Sequence, residues 1–178
     1  LELLPKKIRN FEWTEKFSSS ISINTDKREK NSTQKILTTV GGKNDLWRGW
    51  DFYLDDNNYL NLRLINVMPS NLIHVRSNDS LKVNNWYNVA FTYDGSGKAS
   101  GIKIYINGNK NRKIDLIDNL YKSILPVSRY YKNGVDYKPK DKPIRIGKAY
   151  DDGGGDEGLF SGLMDEFLFF DYKLTYYE

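Results

Sequence analysis

Two stretches of this chain alternate residue by residue and end on turn dipeptides, a combination that only β-strands satisfy. Trp86 to Gly95 reads Trp-Tyr-Asn-Val-Ala-Phe-Thr-Tyr-Asp-Gly, with Val89, Phe91 and Tyr93 alternating against Asn88, Ala90 and Thr92. Gly101 to Gly108 reads Gly-Ile-Lys-Ile-Tyr-Ile-Asn-Gly, with Ile102, Ile104 and Ile106 on one parity. Successive side chains of a strand point to opposite faces, so each stretch has one apolar and one polar face. Asp94-Gly95 and Asn107-Gly108 supply the positive φ that two-residue hairpin turns need.

The same signal recurs at 17–25, 35–40, 50–54, 59–67, 72–76, 113–117, 143–147 and 163–170, and no segment carries a helical period. Short strands between turn signals predict an all-β fold, a two-sheet antiparallel β-sandwich or jelly roll. Residues 1–16 read as a lead-in and 17–178 as one domain, a length that supports a full core. Two insertions break the pattern: 120–142, rich in Tyr and Lys, and 150–158, which reads Tyr-Asp-Asp-Gly-Gly-Gly-Asp-Glu-Gly. Loops beyond about 12–15 residues are usually functional or disordered.

Composition removes several classes of function. With no Cys, disulfides and thiolate metal sites are excluded. No apolar run approaches the roughly 20 residues of a helical membrane span, so membrane insertion is not expected. Lys and Arg number 27 against 23 Asp and Glu, but they are scattered, and the densest run, Lys138 to Lys142, is interrupted by Pro139 and Asp141. Nucleic-acid binding wants a basic stripe with interleaved aromatics, which is not present. The chain starts on Leu rather than Met and shows no leader, as expected of a piece of a longer protein.

Several motifs, taken in order, resemble one family. These are W-x-x-V-A-x-T-Y-D-G from Trp86, then K-x-Y-x-N-G from Lys103, with Phe17-Ser18-Ser19-Ser20-Ile21-Ser22 and Gly49-Trp50-Asp51-Phe52-Tyr53-Leu54 upstream. Downstream lie Pro143-Ile144-Arg145-Ile146-Gly147, Phe160-Ser161-Gly162-Leu163-Met164-Asp165-Glu166-Phe167 and Asp171-Tyr172-Lys173-Leu174-Thr175. The set resembles a laminin G-like module of the concanavalin A-like lectin/glucanase superfamily. Residues 71–76 and Asp118-Asn119-Leu120 are similar to the insert of large bacterial proteins that also carry cytochrome c-like domains. The resemblance implies a binding or packing module in an extracytoplasmic setting, that is, periplasmic, secreted or on the bacterial cell surface. It implies no activity, because function on this sandwich lives in the site.

Four kinds of chemistry can be weighed on the residues. Glycoside hydrolysis needs two carboxylates about 5–9.5 Å apart across a cleft. The E-x-D-x-x-E arrangement of the glucanases is missing, and adjacent Asp165 and Glu166 should face opposite ways. Calcium needs six to eight oxygens from flexible loops, which Asp151, Asp152, Asp156 and Glu157 in the glycine-rich run, or Asp165 on the closing strand, could supply.

The polar sheet face is the third. With the apolar parity buried, Asp51, Tyr53, Arg63, His74, Arg76, Asn88 and Tyr105 face outward, and on a shared sheet they would form one surface. Forked hydrogen bonds from Arg, Asn and Asp and stacking on Tyr suit a sugar. Fourth, Trp47, Tyr130, Tyr131 and Tyr137 lie in loops with no strand period to bury them, whereas Trp86 is assigned to the core. The expected function is non-catalytic recognition, foremost of carbohydrate. The alternatives are a domain that packs against others of its parent chain and, remotely, a glycoside hydrolase.

Overall fold

The computed structural model describes residues 10–27, 32–42, 45–127, 130–132, 134–138, 143–149 and 158–175. Thirteen strands appear among them: β1 (Phe17–Thr25), β2 (Gln34–Thr38), β3 (Gly49–Leu54), β4 (Tyr59–Val67), β5 (Asn71–Ser80), β6 (Trp86–Tyr93), β7 (Ile102–Ile106), β8 (Asn109–Asn111), β9 (Lys113–Asp118), β10 (Tyr130–Lys132), β11 (Val135–Tyr137), β12 (Arg145–Ile146) and β13 (Gly162–Phe170). They form a five-stranded sheet ordered β13-β1-β6-β7-β8 and a six-stranded sheet ordered β12-β2-β3-β4-β5-β9. A separate hairpin joins β10 to β11, and every pairing is antiparallel.

The expected sandwich is therefore present, with β4, β6 and β7 at the expected bounds. Sequence reading missed β8 and the β10–β11 hairpin, whose three-residue strands are too short to show a period. The two turn dipeptides behave differently. Asn107 (φ 49°) and Gly108 (φ 73°) form the two-residue connection between β7 and β8, both with the positive φ of a type I′ turn. Asp94-Gly95 instead opens a longer connection to β7 that includes a 3₁₀ turn at Ala99–Gly101, with Asp94 Oδ1 accepting the Ser96 N–H at 3.0 Å.

The inner faces of the two sheets meet in one apolar core. Phe17, Ile21 and Ile23 of β1 and Val89, Phe91 and Tyr93 of β6 face Trp50, Phe52, Leu62 and Leu64 of the other sheet. Trp50 lies 5.3 Å from Phe17 and 5.7 Å from Phe91 between ring centroids, distances at which aromatic pairs add to plain area burial. Trp86, expected in the core, is instead half exposed. It shares the parity of Asn88, Ala90 and Thr92, so the strand that buries Val89 and Phe91 must turn Trp86 outward.

Candidate functional site

The seven residues expected on one polar surface divide between two. Asp51, Tyr53, Arg63, His74 and Arg76 lie on β3, β4 and β5 of the six-stranded sheet, whereas Asn88 and Tyr105 lie on β6 and β7 of the other. The outer faces of a sandwich look in opposite directions, so the seven cannot form one site. Asn88 and Tyr105 line a shallow groove of their own with Ser20, Ala90, Thr92, Leu168 and Phe170. Alternation decides in from out; it does not decide which sheet.

On the six-stranded sheet, register places Asp51 opposite Arg63 and Arg63 opposite His74, and in the next row Lys35 opposite Tyr53, Tyr53 opposite Asn61 and Asn61 opposite Arg76. The face is polar but not fully open. Asp51 is completely buried and Tyr53 nearly so, because longer neighbours lie over them. Arg63 donates to Asp51 through Nε at 2.9 Å and Nη2 at 2.5 Å, and Lys35 Nζ donates at 2.5 Å. Lys35 Nζ and the Arg63 guanidinium also stand 4.4 and 4.6 Å from the Tyr53 ring centroid, within cation–π range.

Burial by itself would raise the Asp51 pKa, but Arg63 and Lys35 outweigh it and hold the carboxyl well below the usual carboxylate range. Burial lowers the Lys35 pKa, with Asp51 opposing. Lys35 carried no part in the sequence reading. A β-bulge between Lys35 and Leu37 shifts the register of β2 against β3, so simple alternation does not predict which face Lys35 takes.

His74 closes the cluster from β5. Its Nε2 lies 3.2 Å from Tyr53 Oη and 2.9 Å from Asn61 Oδ1. Asn61 spends its amide nitrogen on Asp55 Oδ2 at 3.1 Å and on the Tyr59 carbonyl at 2.9 Å. Its oxygen therefore faces His74, which assigns the proton of the neutral ring to Nε2. Burial, then Arg63, lowers the His74 pKa from 6.5 to about 4.

A pH dependence follows with a definite sign. Between about pH 6.5 and 4 the unfolded chain binds a proton that the folded chain refuses, so stability falls as pH falls through that window, by roughly 3 kcal/mol in full. Asp51, whose folded pKa is depressed, adds a loss only further into acid. In His74→Gln, whose amide can still bond Tyr53 and Asn61, the limb between pH 6.5 and 4 should flatten in denaturant titrations. Equal slopes in wild type and variant would show that His74 is not held neutral.

A groove of about 410 Å³ runs over this cluster, lined by Lys35, Tyr53 and Arg63 on its floor and by Trp47, Ile65 and Met68 beside them. Trp47 is 47% exposed, as its loop position predicted. Leu46 (φ 55°) and Trp47 (φ 59°) are consecutive non-glycine residues in the left-handed region, each costing on the order of 1–2 kcal/mol. Gly41 N–H to Arg48 O at 2.9 Å and Trp47 N–H to Gly42 O at 3.1 Å close this turn. Strain maintained by surrounding bonds clusters at functional positions.

Among the described residues, no part of the 120–142 insertion lines the groove. Leu120 and Ile124 join the core instead, and Glu12 accepts hydrogen bonds from Ser123 Oγ at 2.5 Å and Ile124 N–H at 3.0 Å. The side chains of Tyr130, Tyr131 and Tyr137 lie outside the described residues.

Of the expected calcium ligands, Asp151, Asp152, Asp156 and Glu157 also lie outside them. Asp165 is exposed on edge strand β13 and accepts the N–H of Glu166 at 2.7 Å. Glu166 has φ 52° at a register shift opposite Ser20 and Ser22, so the strict opposition expected of Asp165 and Glu166 is broken by a bulge. No group of three or more His, Cys, Asp or Glu suited to a metal ion occurs among the described residues.

No helix among the described residues is long and apolar enough to cross a membrane. No curated protein matches the sequence at a significant level. Solved structures do resemble it. A Bacteroides ovatus protein provisionally assigned to carbohydrate binding is 22% identical with a TM-score of 0.59; the match covers 99% of this chain and 42% of that one, so this chain spans less than half of that protein. The CBM40 module of a Ruminococcus gnavus IT-sialidase is 16% identical with a TM-score of 0.65, over 99% of this chain and 91% of the module. The binding domain of botulinum neurotoxin serotype G is 17% identical with a TM-score of 0.57, over 97% and 36%. At these identities the likeness establishes the sandwich and nothing finer. Residues 4–122, more than half of the chain, match a laminin G-type family described as the concanavalin A-like lectin/glucanases superfamily, and the chain belongs to that family.

Proposed function

We propose that this chain is a non-catalytic carbohydrate-binding module and that the sugar sits in the groove over the six-stranded sheet. The observation that carries this reading is the placement of Trp47. An exposed indole, held in a strained turn, stands beside a floor of Tyr53, Lys35 and Arg63. An apolar wall for a sugar face next to fixed polar groups is the composition of a small-ligand site. The resemblance to modules such as the R. gnavus CBM40, solved with α2,3-sialyllactose, supports the same reading.

Asp51 supports the non-catalytic part. Its carboxylate is wholly buried beneath Lys35 and Arg63, which bond its oxygens, so at neutral pH it has no proton to give and no open approach to a sugar. An extracytoplasmic setting, and membership of a longer bacterial chain like those with cytochrome c-like domains, belong to this reading as the family resemblance suggests them. Calcium would enter it at the run 151–157, whose carboxylates and glycines suit a flexible oxygen cage.

The test is a glycan array with wild type and Trp47→Ala. The wild type should bind a subset of glycans. Trp47→Ala should lose about tenfold or more in affinity, with its melting temperature within a few degrees of wild type, because the ring it removes is half in solvent. Unchanged binding in Trp47→Ala would move the site elsewhere, and a wild type that binds no glycan would favour a domain that packs against its neighbours.

A further inference from the structure

We propose that the ligand of this groove is acidic: a saccharide bearing a carboxylate. The inference rests on the sugar-binding reading above and names the class of sugar. It comes from counting what the groove floor has left to offer. Asp51 accepts three hydrogen bonds, from Lys35 Nζ and from Nε and Nη2 of Arg63, and is wholly buried. Tyr53 Oη is engaged by His74. Asp55, at the hairpin beyond, accepts from Asn57 N–H, Tyr59 N–H and Asn61 Nδ2. Asp45, under the Trp47 turn, is buried and already partnered.

The unspent capacity is all on the other side. Lys35 and Arg63 keep 12% and 18% side-chain exposure, and their ammonium and guanidinium carry more N–H groups than Asp51 takes up. Two cations against one carboxylate also leave one positive charge in excess on the floor. Each hydroxyl of a neutral sugar would bring a proton in need of an acceptor, and the carboxylates at and around the floor are already engaged. A carboxylate brings only acceptors, and its bonds to these donors are charge-assisted.

Arg76 extends the positive field on the same face. It lies opposite Asn61, one row from the His74–Arg63 pair. Its guanidinium rests 4.5 Å over the Tyr59 ring, and its buried Nε has no hydrogen-bond partner.

The experiment uses matched pairs of probes: oligogalacturonate against its carboxyl-reduced form, hyaluronan against its carboxyl-reduced form, and sialyllactose against lactose. Affinities are measured at low salt and at about 0.5 M NaCl, where screening shortens the reach of the charge. For the pairs that bind, the acidic member should bind about tenfold or more tightly than its neutral partner. That advantage should shrink in high salt and in Lys35→Met, and persist in Lys35→Arg. Should Lys35→Met fail to fold, the paired affinities and salt dependence of the wild type decide alone. Neutral members binding as well as acidic ones would overturn this inference and leave the sugar-binding reading standing. Binding by none of the probes, with neutral glycans alone recognised on the wider array, would do the same. Binding by no glycan at all would overturn both.

Discussion

Arg63→Met should lower the unfolding free energy at neutral pH by about 3–5 kcal/mol, the usual cost of stranding a buried charge. Asp51 has no contact with solvent and depends on neighbours to replace the water it gave up. Arg63 supplies two of its three hydrogen bonds, at 2.9 and 2.5 Å. Lys35 alone cannot replace them, since its own ammonium is already disfavoured by burial, so the loss should fall toward the upper end of that range. A second signature separates this mechanism from simple loss of packing. Without Arg63 the folded-state pKa of Asp51 rises, so acid unfolding should begin at higher pH than in wild type. Asp51→Leu added to Arg63→Met should recover part of the loss, because it removes the stranded carboxylate and leaves Lys35, whose amine can give up its proton when buried without a partner. Denaturant titrations of the single and double variants check all three points. A loss below about 1 kcal/mol in the single variant would mean that water reaches Asp51.

Trp50→Ala should cost about 3–5 kcal/mol, whereas Trp86→Ala should cost less than about 1 kcal/mol. The two tryptophans stand at the ends of similar alternating strands, and their fates are opposite. Trp50 is fully buried and packed at 5.3, 5.7 and 6.0 Å against Phe17, Phe91 and Phe169. Its removal leaves a cavity between two sheets that the surrounding rings cannot fill. Trp86 is 50% exposed on the outer face of the five-stranded sheet. Trp50→Phe makes a finer test. The indole Nε1 is buried without a hydrogen-bond partner, so the smaller ring loses area but also removes an unsatisfied donor. It should cost clearly less than Trp50→Ala. Thermal unfolding of the three variants measures the order, and a Trp86→Ala loss as large as that of Trp50→Ala would reverse the facing of β6.

The amino-acid sequence shows where most strands lie and which side of each is apolar, because alternation is a local property written two residues apart. It also determined the family, whose motifs stand in order along the chain, and the exposure of Trp47, which no strand period could bury. Trp86 was legible too, since its parity with Asn88 and Thr92, not its place on the strand that carries Val89 and Phe91, decides its side. Which strands share a sheet is settled only when the chain folds. In a sandwich the chain crosses between layers, and nothing local tells β5 from β6 in this respect. So Asn88 and Tyr105 parted from Arg63 and His74 although all four have outward parity. The structure alone also brought Lys35 to the site, since a bulge in β2 breaks the alternation that would have placed it. It alone turned an apparently open polar face into a buried Asp51 roofed by two cations. Burial on an outer face depends on how long the neighbouring side chains are and where register sets them, and register is fixed by pairing between strands that the sequence keeps far apart.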